Sequence, residues 1–350
     1  MEYTRALIDL RVADESRFGG KSASLGELLA AGIPVPPGFA LSTVAFEALI
    51  GESGLRGRIE EAMAHVPAGD VEAVGAASHS ISEAMRFAPV PGAVRHEVAS
   101  RYGELASLAG AESPPVAVRS SALGEDSQDA TFAGQQETYL WVRGADSVCD
   151  AVRDCWLSLY SPPAISYRAR LGRDQAETAM GVTVQLMVDA EVSGVMFTCN
   201  PVSGDPSMVA INASWGLGLA VVGGEVTPDD YLVSKVTREV VRQHVHHKGV
   251  QYVPDAGGRG AMRVAVPDDR ADERCLDDAT LRALVEVGRR VERHFAGHQD
   301  IEWAISRDGG ELFVLQSRPV TTVREREKKP PPSALSMVMS TFGVKQHDAE

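Results

Sequence analysis

Apolar residues recur at helical spacing through residues 43–51, 56–65 and 70–108, and again from 146 to 170, where Trp156 and Tyr160 fall on the buried stripe. An earlier helix begins near Ser24 and stops at Gly32, because glycine suits the left-handed end of a helix and Pro34, Pro36 and Pro37 forbid continuation. Between these segments lie runs of strand character: Ala6 to Leu10, Val116 to Val118 and Thr138 to Val142, the last two around a polar, glycine-containing loop. From about residue 180 the pattern turns to β, at 182–188, 193–198, 209–213, 230–233 and 239–241. One long helix over 278–296 precedes two strands, 300–305 and 311–316, joined by Ser306-Arg307-Asp308-Gly309-Gly310 as a hairpin turn. Residues 324–350 open with Arg-Glu-Arg-Glu-Lys-Lys-Pro-Pro-Pro, a linker composition. The elements thus divide into a helix-rich first part, a strand-rich part from about residue 180, and a tail.

Composition sharpens this picture. The chain has 350 residues, 44% hydrophobic and 23% charged, enough apolar surface for two folded domains or three small ones. No run approaches the ~20 apolar residues of a membrane span, and the first residues carry no basic-then-apolar leader, so a cytoplasmic protein without a membrane partner is expected. The net charge of −14 disfavours nucleic acid as a partner. Any phosphate must therefore be held by local geometry and a few placed cations. Cys149, Cys155, Cys199 and Cys275 show neither a CxxC pair nor zinc spacing, and are expected as reduced structural thiols.

Four stretches carry candidate chemistry. Gly19-Gly20-Lys21 at a helix start offers backbone amides and a cation to an anion, or else is a plain glycine turn with a solvated lysine. Arg119, delivered by an apolar strand ahead of Ser120-Ser121, suits two phosphate oxygens, or else pairs with Glu125 or Asp126. Alternation puts Asp300 and Glu302 on one strand face, and the hairpin can bring Gln316 or Arg318 across from them. Two carboxylates and an amide oxygen are hard ligands suited to Mg²⁺, and Arg318 could then stabilise charge on the transferring group; the alternative is a cross-strand salt bridge. The loops around Trp215 and Gly223-Gly224 read as tight turns. His244, His246 and His247, without a neighbouring carboxylate in the sequence, read as a solvated strand face.

In this order, Gly-Gly-Lys-Ser-Ala-Ser-Leu-Gly-Glu-Leu, Val-Arg-Ser-Ser-Ala-x-Gly-Glu-Asp, Phe-Ala-Gly-Gln-Gln-Glu-Thr, Asn-Pro-Val-Ser-Gly-Asp, Ala-Ser-Trp-Gly-Leu-Gly, Gly-Glu-Val-Thr-Pro-Asp, Asp-Ile-Glu-Trp-Ala and Leu-Gln-Ser-Arg-Pro form a recognisable series. Over about residues 1–323 the chain resembles the N-terminal ATP-grasp domain of the phosphoenolpyruvate synthase, pyruvate phosphate dikinase and rifampicin phosphotransferase family. As a stand-alone subunit it is similar to those of phenylphosphate synthase and 4-methylbenzyl phosphate synthase.

The resemblance implies an α+β ATP-grasp fold whose two lobes, 1–187 and 188–323, clamp ATP with Mg²⁺. It implies Lys21 and Arg119 on phosphates, Gly134 and Thr138 on a covering loop, and Gln185 near the adenine. Glu302 and Gln316 would face metal and nucleotide, and Arg318 the phosphate being cleaved. Leu219 departs from the family, which often has glutamate there. The family passes its phosphoryl group through a histidine in a Gly-Gly-x-Thr-Ser-His-Ala-like loop of a swivelling domain. Here the one Ser-His pair is Ser78-His79, in a helical stretch without those glycines. The expectation is a catalytic subunit whose partner, a separate subunit, carries the phosphorylatable histidine and hands the group to a small-molecule acceptor, a phenol or aromatic alcohol. A ligase making an acyl phosphate and a nucleotide-sensing regulatory subunit are the alternatives. The apolar Leu335, Met337, Val338, Met339 and Phe342 nominate the tail for partner docking.

Overall fold

The computed structural model describes residues 2–64, 66–67, 69–122, 137–170, 179–255 and 260–320. Linker and tail residues beyond 320, and Gly134 with the loop around it, lie outside the described residues.

The first part runs β1 (Thr4–Ala6), α1 (Glu15–Phe18), α2 (Gly20–Ala30), β2 (Gly38–Leu41), α3 (Thr43–Glu52), α4 (Leu55–Met63), α5 (Val71–Arg86) and α6 (Gly92–Ala109). It continues through β3 (Val116–Ala122), β4 (Thr138–Val142), α7 (Ala145–Leu157), α8 (Pro162–Arg170) and β5 (Met180–Leu186). The second part holds β6 (Ala190–Phe197), β7 (Met208–Trp215), α9 (Leu219–Val222), β8 (Asp229–Ser234) and β9 (Val240–His244). Then come β10 (Val250–Pro254), β11 (Ala261–Ala265), α10 (Asp268–Ala271), α11 (Asp278–Phe295), β12 (Gln299–Ser306) and β13 (Leu312–Pro319). The protein is α+β. The run from Ala6 to Leu10 departs from expectation: the strand stops at Ala6, and Leu7–Asp9 coil into a 3₁₀ turn that buries Leu7.

A five-stranded sheet, in the order β1-β2-β5-β3-β4, and a six-stranded sheet, in the order β13-β12-β6-β7-β8-β9, organise the molecule. Every neighbour pair in both is antiparallel. Val116, Val118, Val182 and Val184 alternate onto one face of the first sheet and share a core with Phe46, Val152, Trp156 and Tyr160 of the surrounding helices. Trp156 meets Phe46 edge-on at 6.0 Å between ring centroids.

The second core sets Met196, Ile211, Ile301 and Trp303 against Leu281, Leu284 and Val291 of α11. That helix is started by the Asp277 carboxylate, which accepts the Thr280 N–H at 2.7 Å. Leu7, Leu10, Phe18, Leu25, Leu28, Ile33 and Val35 belong to this second core too. The segment holding α2 therefore covers the six-stranded sheet while its neighbours in sequence build the five-stranded one. Gly32, at φ 68°, turns the chain after α2 as expected, and the Pro34 carbonyl then accepts the Val314 N–H at 2.8 Å, tying this return to β13. The later crossing is short. Met187 N–H donates to Pro115 O at 3.0 Å on one side, and Arg307 N–H donates to Asp189 O at 2.7 Å on the other, leaving Val188 between.

Candidate functional site

On β3 and β5 the residues that alternate away from the helical core are Ala117, Arg119 and Ser121, and Gly181, Thr183 and Gln185. The start of α2 packs on this surface. Ser22 Oγ lies 2.7 Å from Thr183 Oγ1, and Ser22 N–H donates to Ser121 Oγ at 3.2 Å. Gly19 holds φ 82°, and a Cβ there would fall 2.0 Å from Ser121 O. Gly19 thus permits close packing of the helix start on β3, the tight-turn side of the two readings of Gly19-Gly20-Lys21. The cation is retained: Lys21, 5% exposed, donates from Nζ to Ser120 O at 3.3 Å.

The hairpin supplies the other half. Glu302 pairs with Gln316 and Asp300 with Arg318, and a bulge follows Glu302. Ile301 and Trp303 enter the core, so Asp300 and Glu302 face the opposite way, as alternation requires. Arg318 donates from Nε to Asp300 Oδ2 at 2.8 Å, and its Nη2 is also 2.8 Å from that oxygen. The cross-strand salt bridge is therefore present within the same face as Glu302 and Gln316. Burial pushes the Asp300 carboxyl above its ordinary range against the pull of Arg318, and the charge of Glu302 pushes the same way.

Arg119 joins the halves. Its Nη1 donates to Leu315 O at 3.2 Å, so a side chain of the first sheet reaches the strand that carries Gln316 and Arg318. Thr138 stands opposite Arg119 in the β3–β4 register and is exposed. Gln185 is buried and donates from Nε2 to Pro36 O at 3.1 Å, which makes it a strut to the proline loop on the same face as Arg119. Beside this group, Met187, Val188, Ala190, Leu217, Tyr252, Ala304 and Leu315 form a small apolar cluster at the crossing between sheets. Lys21, Arg119, Thr138 and Gln185 thus share one side, and Glu302, Gln316 and Arg318 the other.

The donor set fits a hard cation. Among the described residues no group of three or more His, Cys, Asp or Glu side chains is placed to hold a metal. Glu302, Asp300 and the Gln316 amide oxygen suit magnesium, which takes its remaining ligands from water and substrate phosphate.

Elsewhere, Trp215 closes β7 with its Nε1 donating to Arg270 O at 3.1 Å and the Arg270 guanidinium 4.1 Å from its ring centroid, a support for the glycine loop. Leu219 begins α9 and is partly exposed. The histidines do have carboxylate neighbours, brought from other elements: His244 Nδ1 is 3.1 Å from Asp230 Oδ2 and His247 Nδ1 is 3.0 Å from Asp272 Oδ1. His79 is exposed on α5. Unforeseen in the sequence is the Asp229–Lys248 ion pair, 2.6 Å apart and fully buried. Asp229 also accepts the N–H groups of His246 and Cys275 and the Tyr231 hydroxyl. The four cysteines are free thiols. Among the described residues no helix is long and apolar enough to cross a membrane.

The family described as "Pyruvate phosphate dikinase, AMP/ATP-binding domain" matches residues 15–338. The chain is 39% identical over 329 residues to a probable phosphoenolpyruvate synthase of Methanocaldococcus jannaschii, covering 94% of this chain and 27% of the relative. It is 38% identical over 355 residues to the phosphoenolpyruvate synthase of Pyrococcus furiosus, covering 91% and 43%. It is 41% identical over 323 residues to a probable phosphoenolpyruvate synthase of Archaeoglobus fulgidus, covering 92% and 42%. The chain spans about a quarter to a half of the length of such relatives.

Proposed function

The chain belongs to the family of pyruvate phosphate dikinase AMP/ATP-binding domains, and from that premise we propose that it is an ATP-grasp nucleotide clamp that feeds a phosphotransfer. The lobes are 1–187 and 188–323, and Mg-ATP lies between them. The observation that carries this is the reach of Arg119 from the five-stranded sheet to Leu315 O, beside the paired Glu302 and Gln316. The apolar cluster at Val188 takes the base, with Gln185 steadying the neighbouring proline loop.

Lys21, Arg119 and Arg318 hold the phosphates, and Arg318 stabilises charge on the group being transferred. Thr138, which opens β4 opposite Arg119, stands beside them, and Gly134 is the proposed cover. Glu302 and Gln316 would hold magnesium, with Asp300 anchoring Arg318; magnesium, when bound, supplies charge that neutralises the phosphate oxygens. Positioning and electrostatics are what such a transfer asks of a protein.

The acceptor of the first transfer is a histidine of a swivelling domain outside these 350 residues, on a separate subunit. ATP yields AMP and Pi, by way of a pyrophosphoryl and then a phosphoryl group on that histidine. The final acceptor is a small molecule, a phenol or aromatic alcohol by similarity to phenylphosphate synthase and 4-methylbenzyl phosphate synthase. The relatives named as phosphoenolpyruvate synthases make pyruvate the second acceptor to test.

The experiment uses ATP labelled at the β-phosphate. The protein alone should bind Mg-ATP and acquire no acid-labile label; with extract of the producing cells, label should appear on a second polypeptide as AMP accumulates. Labelling of a histidine within residues 1–350, or ADP in place of AMP, contradicts the proposal. Phenol and pyruvate, added in turn, show which discharges the label.

A further inference from the structure

Ser24 lies one turn beyond Lys21 on α2, so the two side chains share a flank of the helix. Its hydroxyl donates to Ser317 O at 3.0 Å. That carbonyl opens the peptide leading into Arg318, and Gln316 is the residue before it. A helix bearing one proposed phosphate ligand is therefore bolted to the strand bearing another, Arg318, and the proposed metal ligand Gln316.

The strand end of the bolt is itself fixed from behind. Ser317, 2% exposed, donates from Oγ to Gln299 Oε1 at 2.9 Å. Gln299, 3% exposed, donates from Nε2 to the carbonyls of Gly297 and His298 at 3.3 and 3.2 Å. Its backbone N–H donates to Thr198 Oγ1 at 2.8 Å. Strand alternation puts Gln299 and Ser317 on the reverse face from Asp300 and Arg318. A hydrogen-bonded chain thus runs from α2 through β13 and β12 to the end of β6. It is buried where it passes behind the charged face.

We infer that Ser24 is a positioning residue, setting the separation between Lys21 and the Gln316–Arg318 strand so that one triphosphate meets both. This rests on the proposed nucleotide clamp. A triphosphate bridging two elements needs their spacing held, and a misplacement of about 1 Å costs up to ~10²-fold in comparable catalytic settings. AMP lacks the β- and γ-phosphates and is indifferent to the spacing.

The test is titration of the full chain with Mg-ATP and, separately, with AMP. Ser24→Ala keeps the helix, since alanine is the best helix former. It is expected to weaken Mg-ATP about tenfold, a shift well inside that bound, while AMP stays within about twofold. Ser24→Thr, which restores a hydroxyl, should recover most of the loss. A thermal scan of each variant confirms folding. Equal losses for AMP and Mg-ATP, no loss for either, or no recovery with threonine overturns the inference. Lys21→Met separates the two levels. If it weakens Mg-ATP while Ser24→Ala does not, the positioning role fails alone; if neither variant changes Mg-ATP affinity, the clamp fails.

Discussion

Replacing Asp300 with asparagine should separate the chemistry of the hairpin from its stability. The Asp300 side chain is 12% exposed and receives Nε and Nη2 of Arg318 at 2.8 Å, whereas Arg318 is 51% exposed. When the pair is broken, the guanidinium remains in reach of water, and pairs with an exposed partner are worth only ~0–1 kcal/mol. Acting in the other direction, burial holds the Asp300 carboxyl above its ordinary range despite Arg318. Its ionised form is therefore already a cost to the fold at neutral pH, and asparagine removes that cost. The two effects oppose each other, so the unfolding free energy should change by about 1 kcal/mol or less in urea denaturation.

Nucleotide binding has no such cancellation. Without the carboxylate, Arg318 loses its anchor and Glu302 loses the neighbouring charge that completes the acidic face. Charge-assisted contacts of this kind are worth ~1.5–3 kcal/mol, which at ~1.4 kcal/mol per tenfold is roughly 10- to 100-fold in Mg-ATP affinity by calorimetric titration. A destabilisation above ~3 kcal/mol would mean that Asp300 is chiefly a buried structural charge. Unchanged Mg-ATP affinity would refute the assignment of this face to the nucleotide.

Three further outcomes follow from the geometry. Because the folded-state value for Asp300 is raised, the stability it contributes is full below its ordinary value of 3.8 and is lost as pH rises through the folded value; the difference in unfolding free energy between wild type and Asp300→Asn, measured across acidic pH, should decline in that direction. Asp229→Ala strands the fully buried Lys248 and should cost ~3–5 kcal/mol in chemical denaturation; a cost below ~1 kcal/mol would show that water or another group takes over the lysine. Gly19→Ala combines a left-handed φ with a Cβ 2.0 Å from Ser121 O, and should destabilise by about 2–5 kcal/mol or leave no folded protein, whereas wild-type stability in thermal melts would show that the close packing of α2 on β3 is not needed.

Periodicity made most of the elements legible, because long amphipathic helices such as α5 and α11 and alternating strands such as β12 declare themselves locally. Gly38–Leu41 did not, since all four residues are buried and show no alternation; the β10–β11 ribbon, in which each residue is only half-buried or exposed, shows little contrast either. The pattern also says nothing about which sheet a helix will cover. Leu25 and Leu28 have helical spacing in α2, but the core they join includes residues such as Val314 and Leu284, far along the chain.

The hairpin face was readable for Asp300 and Glu302. The pairing of Glu302 with Gln316 and of Asp300 with Arg318 depends on the bulge after Glu302, which no residue type announces. Gly19-Gly20 has the composition of an anion-binding turn, and the close packing of Gly19 on Ser121, from a distant part of the chain, is not announced locally. The carboxylates beside His244 and His247 are likewise supplied by other elements, at separations of 14 and 25 residues.

The most direct measurement is a crystal structure of the protein soaked with magnesium and a non-hydrolysable ATP analogue. The account predicts a triphosphate spanning the two sheets, with oxygens on Lys21 and Arg119 from one side and on Arg318 from the other, and with the metal between phosphate and Glu302. An analogue bound away from Arg119 and Glu302, or a cleft that stays closed by the protein's own side chains at saturating ligand, would contradict it.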